Sequence, residues 1–152
     1  MHRNAGCLKT ETLKQLPLLT MSTPLINKAI ALIQEFHDCE WLNPHWLSHQ
    51  LGVTPFELDS VFFTSRRLSC QDVITQCRVS RLFEQVREDP GTNLDSQIRK
   101  CGFDSYGQAQ ADFFCFFGIE LSRFRDVSCR ALDDRQWRSE HQDNNELVLK
   151  AL

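Results

Sequence analysis

The run from Lys100 to Arg125, KCGFDSYGQAQADFFCFFGIELSRFR, decides the fold. Gly102 ends the helix before it, because glycine readily takes the left-handed conformation that closes a helix. Ser105 stands where a hydroxyl can accept an amide of the next helix. That helix carries Ala109, Phe113, Phe116 and Phe117 on an apolar stripe. Gly118 stops it, and Leu121 to about Arg125 starts a last, short helix. Helix, tight turn and capped helix are the layout of a helix-turn-helix, the motif that sets a helix into the major groove of DNA.

A second copy of the plan lies upstream, around Gln50-Leu51-Gly52-Val53-Thr54. Asn43 caps a helix opened by Pro44, with Trp46, Leu47 and Leu51 on its apolar side and Gly52 as its stop. Thr54-Pro55-Phe56-Glu57 then begins another helix. Thr54 is the cap, Pro55 fits the first helical position, and Glu57 completes a capping box. Leu58, Val61 and Phe62 face inward, and Arg66-Arg67-Leu68 is the turn out. Ser69 and Asp72 form a further cap. It opens a long helix to about Glu88, with Val73, Ile74, Cys77, Leu82 and Val86 as its stripe, and Asp89-Pro90-Gly91 ends it. Leu94 to Lys100 is the short helix before Gly102.

Ahead of all this, Thr23 and Pro24 open a helix with Ile26, Ala29, Ile30 and Ile33 at helical spacing. No useful length of sequence alternates with period two. The expected class is all-α, with about seven helices in two helix-turn-helix subdomains joined by a long linker helix. The expected limits are a flexible arm over 1–22, a core domain over 23–126 and a polar tail over 127–152. Within the core, the first helix-turn-helix covers about 43–65, the linker helix about 69–88 and the second helix-turn-helix about 93–117.

With 152 residues, 41% of them hydrophobic and 24% charged, the chain can bury a core without staples. No window approaches the roughly eighteen apolar residues of a membrane span, so no membrane partner is expected. Only Arg3 is basic among the first eight residues, which is unlike a secretory leader, and a cytoplasmic location is expected. The seven cysteines are odd in number and show no C-x-x-C pair, which argues against a disulfide framework or zinc ribbon. His45 and His49 lie four apart without an evident third ligand, so no metal is expected. No phosphate loop, nucleophile elbow or paired carboxylates are present, and neither an enzyme nor a cofactor is expected.

The ordered series Gly102-Phe103-x-Ser105, Phe113, Gly118 and Phe124-Arg125, with Arg78-Val79 and Leu82 in the linker helix, resembles the DNA-binding domain of the AraC/XylS family of transcription regulators. The resemblance covers about residues 24–126 and is similar to stand-alone members of MarA/SoxS type. It implies a transcriptional regulator that binds double-stranded DNA as a monomer, through two reading helices set apart by the linker helix. It also implies RNA polymerase or a related regulator as a further partner.

Carried over residue by residue, the reading positions fall on Phe56, Asp59 and Ser60 in the first unit. In the second they fall on Tyr106, Gly107, Gln108, Gln110 and Ala111. Phe56, Ser60, Tyr106, Gln108 and Gln110 are the candidates for base contacts, and Arg66, Arg67, Lys100 and Arg123 for phosphate contacts. Two of the departures from the family pattern bear most directly on DNA affinity. Neither reading helix carries an arginine at its reading positions, although arginine is the commonest reader of guanine. Residues 22–126 also hold ten basic residues against fourteen acidic ones, a balance of −4, whereas phosphate neutralisation drives most DNA affinity. An alternative therefore stands beside the first reading. The fold would have lost DNA binding and would act as a protein-interaction module through Phe63 and Phe114, the two aromatics expected at the surface.

Overall fold

The computed structural model describes the backbone from Thr12 to Lys150, and side chains from Ser22 to Gln136 with Arg138 and Ser139. Among the described residues there are seven helices and no strand: α1 (Thr12–Phe36), α2 (Pro44–Leu51), α3 (Pro55–Arg66), α4 (Cys70–Glu88), α5 (Leu94–Lys100), α6 (Tyr106–Phe117) and α7 (Leu121–Lys150). The expected all-α class holds. None of these helices is long and apolar enough to cross a membrane.

The chain divides into two compact units, one running to His37 with Trp41–Ile74, the other formed by Asp38–Glu40 with Thr75 onward. In the first unit, Ile26, Ala29 and Ile33 of α1 are buried, as are Leu47 of α2, Leu58 and Phe62 of α3, and Cys70, Val73 and Ile74 of α4. Trp41 and Trp46 lie 4.6 Å apart, centroid to centroid, and each ring is 5.5 Å from Phe36 at the end of α1. In the second unit Val79, Leu82 and Val86 of α4 pack with Leu94, Ile98, Cys101, Phe103, Ala109, Phe113 and Leu121. Phe83 stacks on Phe124 at 4.6 Å and lies 4.7 Å from Phe117.

Polar bonds fasten the second unit at its corners. The Gln97 amide donates to the carbonyls of Gln85 (3.3 Å) and Asp89 (2.8 Å), tying α5 to the end of α4. Arg125 Nε donates to the Pro90 carbonyl at 3.0 Å, tying α7 to the same turn. Arg78 donates to the Cys39 carbonyl at 2.8 Å and so holds the short 38–40 segment against α4.

Helix ends follow the sequence closely. Asn43, Thr54 and Ser105 cap α2, α3 and α6 through their side chains, and Thr54 with Glu57 forms the full capping box. Ser69 and Asp72 bond each other's backbone amides at the start of α4. Gly52 and Gly118 close α2 and α6 at φ +68° and +67°. Arg67 occupies the equivalent place after α3 at φ +58°, the one non-glycine residue with positive φ among those described.

Three expectations are corrected. Helix α1 begins at Thr12 and runs through Pro24, so the expected arm is helical over its second half; residues 1–11 lie outside those described. Leu13, Leu16, Leu18, Leu19 and Met21 give that stretch strong helix propensity, which prevails over the prolines. Helix α7 does not stop near Arg125 but continues to Lys150, across most of the expected tail. From Ile119 onward the sequence contains neither glycine nor proline to end it. Finally, Phe116 and Phe117 were placed on the inner stripe, yet they are 44% and 41% exposed. They fall in the last turn of α6, at the margin of the core, where Phe117 still packs 4.7 Å from Phe83 and 4.8 Å from Phe113.

Two cysteines are pure core. Burial pushes the thiols of Cys70 and Cys101 up to about 12 from the ordinary 9.0, helped at Cys70 by the neighbouring Asp59 carboxylate. Both are therefore protonated in the folded chain across the neutral range. Thiol alkylation at pH 7.5 is expected to label exposed Cys115 in the native protein, and Cys70 and Cys101 only after unfolding. The stability these two protonated thiols contribute is complete below pH about 9 and is lost as pH rises from there towards 12. A denaturant midpoint series between pH 7 and 11 measures that decline.

Candidate nucleic-acid interface

The helix pairs α2–α3 and α5–α6 share a plan at a constant offset. Thr54 and Ser105, Asp59 and Gln110, Phe62 and Phe113, Phe63 and Phe114, Arg67 and Gly118, and Cys70 and Leu121 are each 51 positions apart in the sequence. The first pair caps the second helix of each unit. Phe62 and Phe113 are each fully buried and hold that helix to its core. Phe63 and Phe114, one residue on, are 57% and 53% exposed, as expected of them.

The offset also exposes a function that the sequence reading missed. Asp59 Oδ1 accepts the backbone amide of Cys70 at 2.9 Å, and Gln110 Oε1 accepts that of Leu121 at 3.2 Å. Cys70 and Leu121 are the first residues of α4 and α7. The amides of a helix's first turn have no partner within their own helix. Each exposed second helix thus contributes one polar side chain to satisfy the start of the helix that follows. The signal was available as an Asp and a Gln eleven residues before a helix start, but only tertiary packing makes that spacing meaningful.

Phe56, the second residue of α3, is 80% exposed. Ser60 is exposed too, but its hydroxyl donates back to the Phe56 carbonyl at 2.8 Å. Tyr106 opens α6 and is 42% exposed. Gly107 leaves open space around the place a Cβ would occupy. The side-chain amide of Gln108 donates to Asp112 at 2.9 Å. Gln110 was expected as a base reader, but it is half-buried and its carbonyl is committed to α7. Ala111 is exposed.

The four phosphate candidates are all exposed: Arg66 in the last turn of α3, Arg67 just after it, Lys100 at the end of α5, and Arg123 in the first turn of α7. The Arg67 guanidinium lies 5.8 Å from the centre of the Phe63 ring, where a cation is attracted by the ring face. Arg125 is half-buried and serves the Pro90 carbonyl instead. His45 and His49 are both exposed. Among the described residues no three His, Cys, Asp or Glu side chains are grouped to hold a metal ion.

The arrangement is shared with solved regulators. The chain superposes on the C-terminal domain of AraT, a response regulator from Geobacillus stearothermophilus, with a TM-score of 0.65 at 17% identity, over 68% of this chain and 85% of that one. An AraC-type DNA-binding domain-containing regulator from Chromobacterium violaceum gives 0.62 at 17% identity, over 72% and 96%. A DNA-binding transcriptional dual regulator from Escherichia coli K-12 gives 0.59 at 17% identity, over 70% and 93%. The fold is that of the AraC-type DNA-binding domain. No protein-family model matches the sequence, and neither does any curated protein.

Asp59→Ala and Gln110→Ala each strip the partner from a helix-start amide and are expected to cost about 1 kcal/mol, the usual value of such a cap. Chemical denaturation of the two variants measures it. Arg67→Gly is expected to act the other way. It relieves a side chain held in the left-handed region and should stabilise by about 0.5–1 kcal/mol, read as a higher melting temperature.

Proposed function

We propose that this chain regulates transcription by binding double-stranded DNA. Its helix-turn-helix units would be α2–α3 and α5–α6, within a DNA-binding domain of about residues 23–126, and α3 and α6 would enter the major groove. One observation carries the reading. A capped, surface-lying second helix occurs twice at the same offset, on a fold shared with AraC-type DNA-binding domains. In a helix-turn-helix the first residues of the second helix meet base edges. Those residues here are Phe56 and Ser60 on α3, and Tyr106, Gly107, Gln108 and Ala111 on α6.

Phosphate contacts fall to Arg66, Arg67, Lys100 and Arg123, which project from helix ends on exposed turns. The acidic balance of the core sets the strength of the grip. With few cations to displace counterions, non-specific affinity is low and its dependence on salt is shallow. The protein acts from the cytoplasm, where the DNA is.

A second reading has one observation in its favour. Phe63 and Phe114 are equivalent by position and both more than half exposed, a pattern that suits contact with another protein. The frequent use of this fold by DNA binders weighs for the first reading.

Fluorescence anisotropy on random-sequence duplexes at about 20 mM salt separates the two. Measurable binding is expected, with log K falling linearly in log salt. Arg66→Ala and Arg123→Ala are each expected to weaken it on every sequence and to reduce that slope by about 1. A chain that binds no duplex even at low salt overturns the regulator and leaves the protein-contact reading.

A further inference from the structure

Resting on the DNA-binding reading, we infer that the two reading helices recognise thymine by its 5-methyl group, with Phe56 on α3 and Ala111 on α6 as the contacts. The preferred site is accordingly rich in A·T pairs where these residues meet the groove.

The inference follows from what the polar groups on these helices are already doing. Glu57 accepts the Thr54 amide at 2.8 Å. Asp59 is held by the Cys70 amide. The Ser60 hydroxyl proton goes to the Phe56 carbonyl. The Gln108 amide donates to Asp112, and the Gln110 carbonyl serves Leu121. Each of these groups would have to leave an intramolecular partner to meet a base, so a new hydrogen bond would replace an old one with little net gain. The Tyr106 hydroxyl, the Gln108 carbonyl and the Gln110 amino group are the polar groups on these positions that those bonds leave uncommitted.

Beside these few polar groups the surface is apolar and well presented. Phe56 is 80% exposed at the start of α3. Gly107 and Ala111 lie four apart, so they share one face of α6. The space beside Gly107 is open, which lets that face come close to a neighbouring surface. In the major groove each base pair shows donors and acceptors, but only thymine also shows a methyl group. An aromatic ring or an alanine methyl set against guanine O6 or cytosine N4 would strip water from a polar group and return nothing. Set against a thymine methyl, it buries carbon on carbon. The same chemistry explains how reading helices without a reading arginine could still discriminate between sequences.

The experiment uses the full chain. Duplexes are selected from a random pool at low salt, and the thymines of a selected site are replaced one at a time by deoxyuridine. This change deletes the methyl and preserves pairing. Affinity is then measured by anisotropy. At one or more positions the replacement is expected to weaken binding about fourfold, the effect of one buried methyl group. Phe56→Ala or Ala111→Gly should erase the thymine–uracil difference at one such position while leaving helix content unchanged by circular dichroism. If selected duplexes bind but uracil substitutes for thymine everywhere without effect, the methyl contact is wrong and DNA binding stands. If the difference survives both substitutions, these two residues are not its source and the inference fails. If no duplex is retained at low salt, the DNA-binding reading fails and takes this inference with it.

Discussion

The first amide of a helix has no carbonyl behind it, and this fold meets that constraint twice in the same way. Asp59 reaches from α3 to the start of α4, and Gln110 from α6 to the start of α7. Each bond fixes the corner where an exposed helix hands the chain to the next helix. Phe62 and Phe113 anchor the same helices from the opposite face. Held at cap, core and exit, α3 and α6 each present an outer face with little freedom to change. A recognition surface needs that rigidity, since any ordering left undone would be subtracted from binding.

The cost of this arrangement falls on the surface. An exposed helix that spends its carboxylate or amide on its own scaffold has fewer groups to offer a ligand. In α3 the capping box, the Asp59 bond and the Ser60 back-bond occupy the polar positions of the first two turns. In α6 Gln108 and Gln110 are similarly engaged. Phe56, Phe63, Ala111 and Phe114 are what a partner would meet. An apolar outer face and an acidic balance both lower generic attraction to phosphate. On the proposed DNA-binding reading, selectivity comes from shape and carbon contacts rather than from charge.

The two units are unequal copies. Gly118 turns the chain after α6 without strain, whereas Arg67 does the same work after α3 at φ +58°. The arginine has a compensation that a glycine lacks. Its guanidinium lies over the Phe63 ring and keeps a cation beside that exposed aromatic. At the next corner, a carboxylate in the first unit does what a neutral amide does in the second. The carboxylate is the stronger acceptor, and it also brings a negative charge to the surface of α3.

Most of the fold was legible in the sequence because its determinants are local. Asn43, Thr54, Ser69 and Ser105 start helices through bonds to amides three residues away, and Gly52 and Gly118 end them through their own backbone freedom. The stripe of Val73, Ile74, Leu82 and Val86 on α4, and Phe113 on α6, were likewise readable from periodicity alone. The chain ends were less legible: nothing in a polar stretch states how far a helix without a stop signal will run, and α7 runs to Lys150. Least legible was which exposed polar residues are already engaged. Asp59 and Gln110 look like readers in sequence, and only the folding of the following helix against them, eleven residues on, turns them into structural acceptors. By itself the sequence determined the helices, their caps and their buried faces, since those depend on neighbours along the chain. Only the tertiary structure decided which side chains remain available to a partner, since that depends on groups brought together across it.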